Sequence, residues 1–305
     1  MRNRSLALAF LLVVLCMGSV APAQSTADPT TSAPPQTNAT VQTPTTTTGQ
    51  TNQGSGFFHD WFAMVTETQS EQPHWITPLA TTTSRLEQEF RYDIQHQPHN
   101  SGLVTDNYGV SKGLEIIPAK NFEVILAIPP YIVNNPDSRN GFGDWQFLVK
   151  YRLAAQNEEH GNYILTAFFQ MSVPTGEHQQ GVPDPVIAPT IAYGKGFGHF
   201  DVQGTLGISL PTGDAHAIGR NLLWNDAFQY KLFKRIWPET EVNFTHYFQG
   251  PHNGNTVVYL TPGLVLGRFK LWDRLGFTIG GGYEIAVTSF HPTNHISILS
   301  VRFPF

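Results

Sequence analysis

The amino-acid sequence predicts an all-β protein, a single antiparallel transmembrane β-barrel of about twelve strands closed by the C-terminal one. Three observations lead there. From residue 84 onward, apolar and polar residues alternate in blocks of about the 9–11 residues that a tilted strand needs to cross a bilayer. Although 40% of the 305 residues are hydrophobic and only 13% charged, no run of about 18 apolar residues follows the N-terminal region, so no spanning helix is expected. The chain ends on a strand from His295 to Phe305. Leu299, Val301, Phe303 and Phe305 share one face, while Ile296, Ile298, Ser300 and Arg302 share the other. A soluble sandwich alternates too, but its strands are shorter and lack aromatic residues gathered toward strand ends.

The N-terminus sets the compartment. Arg2 and Arg4 precede an apolar run from Leu6 to Leu15, and Ala21-Pro22-Ala23 follows, so residues 1–23 read as a secretory signal peptide. The single cysteine, Cys16, falls inside it, which excludes disulfides and a thiol nucleophile from the mature chain. Residues 24–56 are almost wholly Thr, Gln, Pro, Ser, Asn and Ala, a composition that cannot bury enough apolar surface to order itself, and read as a disordered leader. Within 57–82, Phe58, Trp61, Phe62 and Val65 fall at the spacing of a short amphipathic helix. That helix and the segment after it are expected to pack on the barrel rim or to enter the pore as a plug. The barrel is expected over 83–305.

Strands are expected near 84–94, 107–117, 121–132, 144–153, 162–173, 186–194, 199–210, 221–232, 239–248, 256–267, 275–287 and 295–305. Their even number puts both barrel ends on one side of the membrane. The connections 95–106, 133–143, 174–185 and 211–220 then all emerge on the far side, and the tighter ones at 118–120, 195–198 and 233–238 on the near side. This asymmetry is that of outer-membrane barrels.

Alternation also sorts the faces. Leu86, Phe90, Tyr92 and Ile94 alternate with Glu87, Glu89, Arg91 and Asp93; Trp145, Phe147, Val149, Tyr151 and Leu153 oppose Asp144, Gln146, Lys150 and Arg152. In a barrel the apolar set meets lipid and the polar set the lumen. The expected lumen residues are therefore Glu87, Glu89, Arg91, Asp93, Asp144, Lys150, Arg152, Asp201, Lys231, Glu239, Glu241, Glu284 and Arg302. Such mixed charges either pair into a rigid filling or wall a water lane that sorts solutes. The sequence leaves both open.

Strand five ends in Val173-Pro174-Thr175-Gly176 and strand seven in Leu210-Pro211-Thr212-Gly213-Asp214, while Gly141-Phe142-Gly143-Asp144 leads toward Lys150-Tyr151-Arg152. With the strand pattern of residues 75 to 305, these strings resemble the outer-membrane channel family catalogued under the MetA pathway of phenol degradation. The resemblance implies a twelve-stranded barrel, passive transport of small molecules and, from the family's name, aromatic compounds. Related porins export amyloid subunits through a barrel preceded by a coiled coil, but the leader here has no heptads. The closing residues Val301, Phe303 and Phe305 also resemble the signal read by barrel-assembly machinery.

Other chemistry finds less support. His295 and Ser297 sit two apart on the lipid side of the last strand, the arrangement an outer-membrane lipid hydrolase would use, yet only Asn294 is near as an orienting group and no G-x-S-x-G occurs. His96, His99, His178, His216, His252 and His291 scatter over five loops, which argues against a metal site. Gly280-Gly281-Gly282 lies within a strand, where it marks a bend, a bulge or a close backbone approach and not a nucleotide loop. The expected function is a channel passing small, hydrophobic or aromatic solutes by diffusion, without catalysis or cofactor; a lipid hydrolase and a secretion or structural porin are the alternatives. Expected partners are outer-membrane lipid, the assembly machinery, the solute and further copies as a homo-oligomer. A formal charge of −5 with no basic stripe argues against nucleic acid.

Overall fold

A computed structural model describes residues 56–305 apart from 111, 137–138 and 178–179. The expected signal peptide, the leader before Gly56 and His178 lie outside the described residues. Fifteen strand segments follow one helix: β1 (Glu89–Pro98), β2 (Val104–Gly109), β3 (Gly113–Ala119), β4 (Phe122–Ala127), β5 (Tyr131–Asn135), β6 (Gly141–Phe142), β7 (Trp145–Gln156), β8 (Tyr163–Val173), β9 (Val186–Phe197), β10 (Phe200–Pro211), β11 (Arg220–Tyr230), β12 (Ile236–Gln249), β13 (Thr256–Lys270), β14 (Gly276–Ala286) and β15 (His295–Pro304). All pair antiparallel, and β15 returns to β1 with Phe303 opposite Phe90 and Arg302 opposite Arg91, so the sheet is a closed barrel. Three staves are built from two segments each, β2 with β3, β4 with β5 and β6 with β7. Fifteen segments thus make twelve staves, as the alternation predicts.

The three divided staves are neighbours and break near one height. Pro129 and Pro130 lie at the break between β4 and β5 and offer no N–H to a ladder. The wall is carried across by Ile128 N–H donating to the Lys112 carbonyl at 2.9 Å and Gly143 N–H donating to the Pro130 carbonyl at 2.7 Å. Elsewhere the pleat alternates cleanly. On β10, Leu206 is 48% exposed while Gln203 is fully buried. Ile191, Leu222, Leu260, Leu264 and Leu299 extend the exposed apolar belt around the outside. Tyr163, Phe197, Phe200 and Tyr230 stand at the rim of short turns, and Phe142 and Trp145 at the other. This is the lipid-facing surface of an outer-membrane barrel, apolar in the middle and aromatic at its edges.

The first strand begins later than predicted. Its ladder starts where Glu89 faces Pro304, because β15 runs out there and leaves residues 84–88 without a partner strand. Phe305 N–H donates the last bond, to the Gln88 carbonyl at 3.0 Å. Leu86, expected against lipid, instead turns inward and packs fully buried on Val65 and Ile117.

Helix α1 (Phe57–Ser70) lies against the short-turn rim. Its Val65 is buried, and the Trp61 indole donates to the Ile117 carbonyl at 2.8 Å. The Arg274 guanidinium sits 4.5 Å over the Phe62 ring. At its C-terminal end, where carbonyls have no helical partners, Arg152 donates to the Thr68 carbonyl at 2.6 Å and to Glu71 at 2.8 Å. Lys120 pairs with Glu67 at 3.0 Å and Glu71 at 2.6 Å. A second, one-turn helix, α2 (Ala215–Ile218), lies in a long loop.

Two measurements test this arrangement. Leu206→Arg, near the middle of β10, should destabilise the barrel by about 2–4 kcal/mol in denaturant titrations in lipid, whereas Leu153→Arg, toward the short-turn rim, should cost about 0–1 kcal/mol; equal losses would contradict the membrane belt. The hydrogen bond from Lys120, aided by the charges of Lys120 and Arg152, holds the Glu71 carboxyl below its ordinary value. A depressed carboxylate stabilises above the unfolded value near about 4.3 and loses its contribution as pH falls through the folded value. Hydrogen exchange should therefore find α1 protected at pH 5 and loosened near pH 3, with the step abolished in Glu71→Gln; pH-independent protection in the parent chain would refute the docking.

Candidate functional site: the occupied lumen

The lumen is where the polar faces of the staves converge, and a separate piece of chain occupies it. Beyond α1, residues 71–88 enter from the short-turn rim, rise to about Thr81 and return to Glu89. Of these, Trp75, Ile76, Leu79, Thr81, Ser84 and Gln88 are nearly or completely buried. The two limbs are tied at their base, where the Gln72 amide donates to the Leu86 carbonyl at 2.8 Å and accepts from Leu86 N–H at 3.0 Å.

A buried loop without a sheet partner must have its main-chain groups met by side chains. On β12, Glu239 accepts from Leu79 N–H at 3.0 Å, and Glu241 accepts from Ala80 N–H at 2.8 Å and Thr81 N–H at 2.5 Å. The carbonyls of the same stretch face cations. Arg302 on β15 donates to the Thr77 carbonyl and, at 2.8 Å, to Pro78; Arg91 on β1 donates to Pro78 at 3.3 Å and Leu79 at 2.5 Å; Arg85 and Arg268 both reach the Trp75 carbonyl. Gln203 on β10 donates to the Ile76 carbonyl at 2.8 Å. The return limb is held from the other half of the wall: Thr166 Oγ1 donates to Ser84 at 2.6 Å, Lys150 donates to the Arg85 carbonyl at 3.1 Å, and Glu87 N–H donates to Glu123 at 2.6 Å.

Packing fixes the tip of the rising limb. Leu79 is 1% exposed, in a cluster with Ile76, Trp237 and Val265. A Cβ placed on Gly263, Gly280 or Gly282 would come within 2.6, 2.7 or 2.8 Å of its methyl carbons. The glycine run of β14 is therefore a close approach between wall and loop, one of the readings the sequence left open. Gly194 plays the same part for Trp75, whose ring would lie 2.4 Å from an added Cβ. Between this loop and β13–β15 lies a cavity of about 30 Å³, room for a water or two, and toward the short-turn rim a larger one of about 290 Å³ among Arg85, Glu87, Arg268 and Lys270. Above Thr82, toward the long loops, lies a separate cavity of about 130 Å³.

Of the residues predicted to line the lumen, Glu89, Arg91, Asp93, Lys150, Arg152, Asp201, Glu239, Glu241, Glu284 and Arg302 are buried on barrel strands. Three lie elsewhere. Glu87 belongs to the inner loop and pairs with Arg85 at 3.0 Å, because the ladder starts only at Glu89. Asp144, just before β7, accepts from Thr175, Gly176 and Val182 N–H at 2.9–3.1 Å and so organises a long loop. Lys231 follows the end of β11 in a short turn, with its ammonium 5.8 Å from the Trp237 ring. Of the two placements expected for the amphipathic helix, the structure has the rim and not the pore: Phe58 is exposed, while Trp61, Phe62 and Val65 hold α1 to the rim. What fills the lumen is the extended segment after the helix.

The sequence reading omitted Glu123, whose parity in β4 sets it directly beside Lys150, 2.9 Å away with both fully buried. It omitted Arg85 and Gln203 as well. Both were legible: Gln203 shares the polar face of Asp201 on β10, and Arg85 shares the parity of Glu87 and Glu89 in the predicted first strand, although the structure places it on the inner loop. Arg91 has Asp93 as a partner at 2.7 Å. Unpaired buried charges are expensive, and here main chain supplies what the wall lacks.

Among the described residues, the other candidates do not assemble into a centre. The His295 ring stacks on Tyr283 with centroids 5.0 Å apart, and no hydrogen bond joins it to Ser297 among the described residues. His96 pairs with Asp106, His99 meets Thr105 and Thr293, His252 packs on Tyr247 and Phe290, His291 meets Asn294, and His216 lies in α2.

No protein family matches the sequence, and no curated protein matches it. Solved structures do. The COG4313 outer membrane channel from Pseudomonas putida F1 is similar over 76% of this chain and 100% of its own, at 14% identity and a TM-score of 0.50. A porin is similar over 71% and 98%, at 10% identity and a TM-score of 0.33, too loose a likeness to build on. At these identities the agreement is one of fold: this chain has the closed antiparallel barrel of a bacterial outer-membrane protein.

Proposed function

We propose that this chain is an outer-membrane channel for passive diffusion of small solutes, held shut by residues 71–88. The observation that carries the reading is that a chain segment separate from the staves, residues 71–88, occupies the lumen. Small barrels whose interior is purely structural pack it with their own wall side chains. Here the wall keeps a polar face and recesses itself with glycine, and a segment tethered at one rim occupies the space through hydrogen bonds that a solute or water could replace. The resemblance to the phenol-pathway channels points to aromatic solutes. With charges lining the passage, only those carrying an acid or amide group would find partners there. The inward patch of Ile125, Leu148, Phe168 and Ala192 gives an apolar strip beside them.

Planar-bilayer recording tests this directly. Leu79→Asp sets a carboxylate among Glu239 and the glycine socket and should expel the loop, raising open probability at least about tenfold over the parent chain, as the loss of a single buried leucine's packing predicts. Stepwise conductance in the variant is expected. A heat-modifiable, correctly inserted barrel that stays silent in both forms would overturn the channel reading.

A further inference from the structure

Over residues 77–81 the inner loop meets the wall chiefly through its main chain, and this has a chemical meaning for whatever replaces it. Three successive N–H groups, those of Leu79, Ala80 and Thr81, meet carboxylates two residues apart on β12. The carbonyls of Thr77, Pro78 and Leu79 meet guanidinium groups on β15 and β1. One side chain, Leu79, is read by shape, in a socket that only glycine at 263, 280 and 282 leaves open. Donors on one side, acceptors on the other and an apolar side chain between them are the features of a short peptide in extended form.

Resting on the channel reading above, we infer that the lumen is a binding site for short peptides carrying an apolar side chain, and that residues 77–81 occupy it as a built-in competitor. Glu239 and Glu241 receive the N–H groups or the terminal ammonium of the solute, Arg302 and Arg91 its carbonyls or terminal carboxylate, and the glycine socket its side chain. Arg302, Glu239 and Glu241 take part in no side-chain ion pair among the described residues; Gln229 donates to Glu239 at 2.5 Å and Arg302 donates to Ser300 at 3.0 Å, and the loop's main chain meets the rest of their capacity. When the loop leaves they face the lumen with that capacity free. Charged walls of this kind favour a dipolar solute over a neutral one of equal size.

The full-length Leu79→Ala chain empties the socket and weakens the hold on the loop, so that an entering peptide can displace residues 77–81 from Glu239, Glu241 and Arg302. In liposome swelling, Ala-Leu-Ala should enter vesicles containing this variant about tenfold faster than a disaccharide, the difference one or two charge-assisted hydrogen bonds would give. Calorimetry on the detergent-purified variant should show the same tripeptide bound and Ala-Asp-Ala not. Adding Glu241→Gln, which removes a carboxylate that meets Ala80 and Thr81 N–H, should lower the ratio of peptide to disaccharide entry to about one. Equal entry of peptide and sugar, entry of phenylacetate ahead of the peptide, or indifference to Glu241→Gln would overturn the inference and leave the channel standing. If no solute enters at all, the channel reading fails, and calorimetric binding of Ala-Leu-Ala alone decides this one.

Discussion

The main chain of residues 75–81 runs through the barrel interior with no strand beside it. That single constraint accounts for most of what is unusual in the molecule. Each peptide N–H and carbonyl there needs a partner, because an unmet buried group forfeits its full desolvation free energy. The β12 carboxylates and the guanidinium groups of Arg91 and Arg302 supply those partners. The same charges would otherwise be a liability in a low-dielectric interior, where removal of one partner leaves the other uncompensated. Loop and wall therefore satisfy one another while the loop is in place.

The glycines complete the argument from the side of shape. A stave of ordinary residues projects side chains inward every second position, and over twelve staves these would meet any chain placed along the axis. Gly263, Gly280 and Gly282 remove that obstruction on two adjacent staves at the height of Leu79, and Gly194 does so opposite Trp75. Glycine weakens a strand and contributes no packing of its own. Its use at four inward positions makes sense only if the space is meant for something other than the wall.

Much of this was legible in the sequence, and the parts that were not fail for identifiable reasons. Period-two alternation located the staves because lipid on one side and a polar interior on the other impose opposite demands on neighbouring residues. It found the burial of Lys150, Glu241 and Arg302 for the same reason. It misplaced Leu86 and Glu87, since an extended loop packed between apolar and charged surroundings alternates just as a strand does, and only the end of β15 reveals where pairing stops. Asp144 was assigned to a wall by parity although its neighbours Gly141 and Gly143 signal a loop, whose N–H groups it gathers. The grip of the lumen on residues 77–81 could not be read at all, because main-chain hydrogen bonding over 160 positions in sequence leaves no residue pattern.

Stability and closure are in tension in such a design. The hydrogen bonds between loop and wall are charge-assisted, the strong kind, yet each replaces one that water would make to the same groups, so the net gain is small per bond. The loop is tethered at both ends, at Ser70 through α1 and at Glu89 through the barrel, and this favours its place in the lumen. A tethered ligand competes at high effective concentration without needing tight contacts. The apolar part of the grip, Leu79 in its socket with Ile76, Trp237 and Val265, has no such aqueous substitute and is the contact that loses most on opening. On the proposed channel reading, a plug that must hold yet release is served by this division: many exchangeable polar bonds set the register of the loop, and one buried leucine sets how long it stays.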